Sequence, residues 1–186
     1  MLSFKNILII AIVILTLGIA WKYYKKLRDT KKLKIGETSL RATKKIKDFK
    51  ELVDVFKNGL KLKGFIGVKN YSSNDYTLNQ ISINGFSPAK EKLIAEQTNI
   101  IQNNIRLKAK QETNIPLEYK VDIVNALSLF KESGVIPEDW TVWKIITHPA
   151  QAYNTIDIKK LRMKLKGFIE AEGITLSINE DYYIYE

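Results

Sequence analysis

The chain has 186 residues, 45% hydrophobic and 10% aromatic, the profile of a folded protein with room for one substantial core. It contains no cysteine, which excludes a disulfide framework, a thiolate metal site and a cysteine nucleophile. The net charge of +10 is unevenly placed: residues 1–50 hold 13 basic and 3 acidic side chains and residues 51–186 hold 17 of each, so the body of the chain is expected to be neutral, without the phosphate-binding footprint of a specific nucleic-acid reader.

Residues 7–21, ILIIAIVILTLGIAW, form an apolar run of 15. Phe4 at one end and Tyr23 and Tyr24 at the other extend it to about 20, the length of a spanning helix. Lys5 and Lys22 can snorkel, while Trp21, Tyr23 and Tyr24 suit the membrane interface. No face of the segment is polar, which argues against a core helix of a soluble fold. A cleaved leader is the competing reading, with Gly18 and Ala20 as the small residues before a cut. Against it stand Lys22, Lys25, Lys26, Arg28, Lys31, Lys32 and Lys34, which follow at once and resist translocation. One basic residue before the run and seven soon after it predict a short N-terminus outside and everything after Trp21 on the cytoplasmic side. The seven are expected to lie against anionic headgroups.

Residues 1–24 are therefore read as a transmembrane anchor, 25–45 as a basic juxtamembrane stalk and 46–186 as a folded domain. At the start of that domain Ile46, Phe49, Leu52, Val53 and Phe56 recur at helical spacing, with Gly59 as a stop. The same letters also suit an irregular first strand. Beyond Gly59 the period changes to two: Leu60, Leu62, Gly64, Ile66 and Val68 alternate, and so do Ile81 and Ile83, Ile105 to Ala109, and Ile115 to Ile123. The segments TVWKIIT (141–147), LRMKLKGFIEAEG (161–173) and ITLSINEDYYIYE (174–186) are read as further strands. Strands of this length between Asn, Ser, Gly and Pro clusters predict a mainly β fold, an antiparallel β-sandwich. ALSLFKESG (126–134) is the one short internal helix expected, ending at Gly134. The polar cluster Asn70, Ser72, Ser73, Asn74 and Asp75 is a turn between strands; it contains a glycosylation triplet at Asn70, which a cytoplasmic domain would not use.

Residues 70–130, NYSSNDYTLNQISINGFSPAKEKLIAEQTNIIQNNIRLKAKQETNIPLEYKVDIVNALSLF, carry an Asn-led turn, a strand reaching a Gly, an Ile94-Ala95 step, a strand IRLKAKQET, a Pro-containing strand IPLEYKVDI and a Leu-rich helix. This pattern, with the closing hairpin LRMKLKGFIEAEGITLSIN, resembles the LEA14-like domain of late embryogenesis abundant type 2 proteins, also called the water-stress and hypersensitive-response domain. The resemblance spans roughly residues 60–180. It departs where the family has Asn-Pro and this chain has Asn70 and Tyr71, and in the longer segment ESGVIPEDWTVWKIITHPAQAYNT. It implies a fibronectin- or immunoglobulin-like β-sandwich with a helix, no catalytic residues, and roles in stress protection and in protein or membrane interaction.

Catalytic patterns are weak throughout. His148 is the sole histidine and is expected in a loop beside Pro149. Glu170 and Glu172 share one strand face and are expected to be solvated. KGFIGVKN lacks the spacing and terminal Lys-Ser/Thr of a phosphate loop, and no Gly-x-Ser-x-Gly elbow exists. No enzyme activity, cofactor or metal is expected. Trp140 and Trp143 are read as packing residues. Tyr182, Tyr183 and Tyr185 mark a C-terminal edge strand as the candidate partner surface. The reading is a single-pass membrane protein that tethers. Its partners are the lipid bilayer and a protein such as a coat or envelope protein, or a second copy; one concrete version is a minor virion component linking an internal membrane to the coat of a lipid-containing phage. The alternative is a bacterial membrane-anchored protein protecting against desiccation, as the resemblance implies.

Overall fold

The computed structural model describes residues 4–30, 32–44, 49–98 and 105–184. The chain opens with helix α1, Phe4–Thr30, in which every described side chain from Ile10 to Lys25 is exposed. Among the described residues no helix is long and apolar enough to cross a membrane. In α1 the described side chains begin at Ile10, and the apolar run from there to Trp21 covers 12 residues, about 18 Å of helix against a hydrocarbon core of about 30 Å. The spanning segment expected over residues 1–24 is thus not found among them.

Strand β1, Leu33–Ala42, follows almost directly. Of the stalk expected over 25–45, residues 25–30 belong instead to α1 and 33–42 to β1, while residues 31 and 45 lie outside the described residues. Leu33 and Leu40 are both buried although they stand seven residues apart, an odd spacing that strict alternation would put on opposite faces; the extra residue at the register shift between Ile35 and Thr38 returns Leu40 to the core face. The apolar signal in LKIGETSLRA is thin, and a shift in register between Ile35 and Thr38 breaks its alternation, as a bulge does.

Helix α2, Phe49–Asn58, settles the choice between helix and strand. Gly59 ends it at φ +78°, where an L side chain would be strained, and its N–H donates to Val55 O at 2.8 Å. Ile46, part of the helical pattern, lies outside the described residues. Strands β2 (Leu60–Asn70) and β6 (Glu112–Val121) complete a three-stranded antiparallel sheet in the order β1-β2-β6. The second sheet is built from β3 (Tyr76–Phe86), β4 (Leu93–Ala95), β7 (Arg162–Ala171) and β8 (Ile174–Tyr183) in the order β4-β3-β7-β8, with the short β5 (Arg106–Leu107) pairing β3.

The fold is mainly β, two antiparallel sheets packed as a sandwich. Leu62, Ile66, Val68, Ile115, Leu117 and Val121 from one sheet and Ile83, Met163, Leu165 and Ile169 from the other are excluded from solvent. Tyr119 joins the two layers: its hydroxyl donates to Ile83 O at 3.0 Å, and burial pushes its pKa up.

Helix α3, Ile123–Glu132, starts three residues before the expected helix because Asp122 caps it, accepting from Asn125 N–H at 2.8 Å. Gly134 follows it at φ +72°, the stop expected. TVWKIIT is not a strand. It forms α4, Val142–Thr147, capped by Thr141, which accepts from Lys144 N–H at 3.1 Å. Its β-branched residues suit a strand in isolation, but the cap and the burial of Ile145 against the helical layer prevail. Helix α5, Pro149–Thr155, and a 3₁₀ turn, Ile158–Lys160, lead into β7. Where one internal helix is expected after Gly59, the described residues therefore form three, α3 to α5.

Candidate interaction surfaces

The register of the strands gives the sandwich two unlike ends. Leu33 pairs with Asn70 and Ala42 with Leu62, while Leu60 pairs with Val121. The end nearest α1 therefore carries the β2–β3 turn, the loop before β6 and the β7–β8 turn, and α2 and α3 sit at the far end. Tyr71 N–H donates to Lys32 O at 2.8 Å, fixing the β2–β3 turn beside the junction with α1.

That turn is a corner, as its residues predict. Asn70 and Ser72 are buried. Asn70 Nδ2 donates to Asn74 O at 2.8 Å and to Leu107 O at 3.0 Å, and Asn70 Oδ1 accepts from Ser72 N–H at 2.9 Å. Ser72 Oγ lies 2.7 Å from Asn70 Oδ1 and 2.8 Å from Asn74 O, with one proton to serve either, and accepts from Asn74 N–H at 3.1 Å. With its amide thus occupied, Asn70 has no free face for a glycan in the folded protein. Asp75 ties the corner to the next loop through Arg106 Nε at 2.7 Å and Ala109 N–H at 2.7 Å.

On α1 the aromatic residues gather at one level. Trp21 and Tyr23 are each 67% exposed and Tyr24 60%, with the Trp21 and Tyr24 rings 6.1 Å apart. Lys22, Lys25 and Arg28 recur at intervals of three, so that they share one side of the helix, and all are exposed. Lys26 lies on α1, but its side chain, like all of Lys31, falls outside the described residues. Lys32 and Lys34 belong to the folded body: Lys32 is half-buried, and Lys34 projects from β1.

At the C-terminus β8 is the outermost strand of its sheet and lies beside β1, the outer strand of the other. The aromatic residues expected there do not make one surface. Neighbouring strand residues point to opposite faces, so Tyr182 packs against the core while Tyr183 is 49% exposed. Tyr182 donates to Glu180 Oε2 at 2.8 Å, and burial raises its pKa. Tyr185 lies outside the described residues.

His148, Glu170 and Glu172 are not brought together. His148 is exposed between α4 and α5, its Nδ1 2.9 Å from Thr147 Oγ1. Glu172 is drawn away from Glu170 into the β7–β8 turn, where it accepts from Thr77 N–H at 3.0 Å. No cluster of three metal-ligating side chains occurs among the described residues. A cleft of about 370 Å³ at the far end is lined by Thr43, Lys44, Asp54, Asn58, Lys61 and Lys120 among others. Its one carboxylate is held: Lys44 at 3.0 Å, aided by Asn58, lowers the Asp54 pKa. Trp140 is buried, with Lys144 Nζ 5.3 Å from the ring centroid, and Trp143 is 73% exposed; only the first is a packing residue.

No family model and no curated protein matches this chain. Among solved structures it is similar to one titled "Crystal structure of protein from Archaeoglobus fulgidus", with 9% sequence identity, a TM-score of 0.39 and coverage of 82% of this chain and 99% of that one. A likeness at that score carries no argument.

Proposed function

We propose that the chain is a non-enzymatic tether in which α1 is embedded in a membrane and holds the β-sandwich against its cytoplasmic face. The observation that carries this is α1 itself. Its backbone is helical from Phe4 to Thr30, about 40 Å of helix, and the sequence extends the apolar run back to Ile7. From Ile10 to Ile19 the large apolar side chains are about half to two-thirds exposed. Such a surface on all sides of a helix has a favourable place in lipid and a poor one in water. The exposed aromatic group at Trp21, Tyr23 and Tyr24 and the cations from Lys22 to Arg28 suit the boundary on the side where the domain follows.

The late-embryogenesis-abundant resemblance, and with it a fibronectin-like arrangement of the sandwich, belongs to the same proposal, supported by the antiparallel sheets and by the helix after β6. The outer strand β8 is the offered edge for a protein partner. The test is membrane fractionation of the full chain in carbonate buffer and in high salt. Retention in the pellet under both conditions, with loss into the supernatant on Ile14→Lys plus Leu15→Lys, is expected. Release of the wild-type chain by salt alone would show peripheral attachment and sink the anchor.

A further inference from the structure

The register reveals a segregation of charge to which the neutral residues 51–186 and the basic first fifty both contribute. On the outer face of the three-stranded sheet, like charges stand directly opposite one another three times: Lys34 with Lys69, Arg41 with Lys63, and Lys61 with Lys120. Directly opposed like charges weaken a sheet. Two carboxylates of the face make ion pairs in return, Glu118 at 2.9 Å from Lys63 and Glu112 at 3.7 Å from Lys69, and the exposed Glu37 lies beside Glu112, to which its N–H donates at 3.0 Å. Lys34, Arg41, Lys61 and Lys120 have no carboxylate partner among the described residues. Between the ends of this basic field Phe65, half-buried, lies opposite the exposed Pro116, so the centre is apolar and the margins are cationic.

We infer that this outer face of the β1-β2-β6 sheet is a second membrane-contact surface, which lays the sandwich on anionic headgroups. The inference rests on the anchor reading above and adds the orientation of the domain and the lipid class it selects. Continuity points to lipid as the occupant: β1 begins three residues after α1 ends, so Lys34 on this face stands close in the chain to the helix that the anchor reading embeds. An apolar centre with a cationic margin matches the boundary between acyl chains and anionic headgroups, and each cation brought within a Debye length adds to the attraction.

The chain has no cysteine, so an introduced thiol is the sole labelling site. Asn114→Cys reports from the basic face and Ser177→Cys from the outer face of the other sheet; both positions are exposed. The full-length chain, carrying a fluorophore at one or the other, is reconstituted into vesicles of phosphatidylcholine with and without about 30% phosphatidylglycerol, with a headgroup-borne quencher. The label at 114 is expected to be quenched roughly twofold more in the anionic vesicles, with the label at 177 indifferent. Lys61→Gln with Lys120→Gln should reduce the difference while sedimentation with vesicles is unchanged. Sedimentation with both vesicles, with the label at 114 indifferent to lipid charge, overturns this proposal alone and leaves the face to an acidic protein. Sedimentation with neither overturns the anchor reading and this one together.

Discussion

Asn70 shows how one polar side chain can hold a corner of the fold. Its amide donates to Asn74 O within the β2–β3 turn and to Leu107 O on β5 and accepts from Ser72 N–H, and the bonds to Leu107 and Ser72 are buried. Removing it leaves those buried groups unpaired, each worth about 1–3 kcal/mol. Asn70→Ala is therefore expected to lower stability by roughly 2–4 kcal/mol, read from thermal or denaturant unfolding in detergent. Ser73→Ala, at an exposed position of the same turn, should be close to neutral. Glu91 illustrates a different contribution. It sits at φ +52° and bonds Lys164 at 2.6 Å and Lys166; the Lys164 bond, then that of Lys166, brings its pKa down from 4.5 to about 2. A carboxyl lowered on folding stabilises above its unfolded pKa, and that stability is lost as pH falls from about 4.5 toward 2. Glu91→Gln should flatten the acid limb of the stability profile in that window and leave its shape above pH 5 unaltered. An unchanged acid limb would show that solvent already screens the triad.

At the scale of elements, the strands were the easier part to read and the helices the harder. The alternation in β2 and β6 stands in the sequence because one face of each is buried along nearly its whole length. The α4 segment reads as a strand because Val142, Ile145 and Ile146 favour strands, whereas its start is decided by a cap at Thr141 and its place by packing with α2 and α5. Strand β1 was missed for the opposite reason: a bulge between Ile35 and Thr38 interrupts its pattern, and its partner begins 18 residues after it ends. Its fit against β2 depends on Gly64. A Cβ there would come within 1.9 Å of Ser39 O, a backbone atom that cannot withdraw without breaking the ladder. Gly64→Ala is expected to detach β1, seen as rapid amide exchange from Leu33 to Ala42 while β7 and β8 stay protected.

At the scale of the whole molecule, two sheets are held as one body by their shared core and by bonds between them, among them the buried ones from Tyr119 to Ile83 O and from Asn70 to Leu107 O. Tyr119→Phe keeps the volume and removes the first of these, and should cost about 1 kcal/mol, checked by the unfolding midpoint, with the fold intact by circular dichroism. The arrangement also sorts function to places. In the proposed arrangement α1 enters the bilayer beside the Asn70 corner, the basic outer face of the three-stranded sheet lies on the headgroups, and β8 is left as an outer strand.

The sequence alone determined the apolar leader with its basic flank, the predominance of strands and the turn at Asn70, because each is written in local order: a run, a period of two, a cluster of turn formers. The membership of β1 in the sandwich, the helical state of residues 142–147, the separation of Tyr182 from Tyr183 in exposure, and the gathering of cations on one sheet face were decided only by tertiary structure. Those features depend on which residues stand opposite one another across strands distant in the chain. A count of charges or a local pattern carries no record of that pairing.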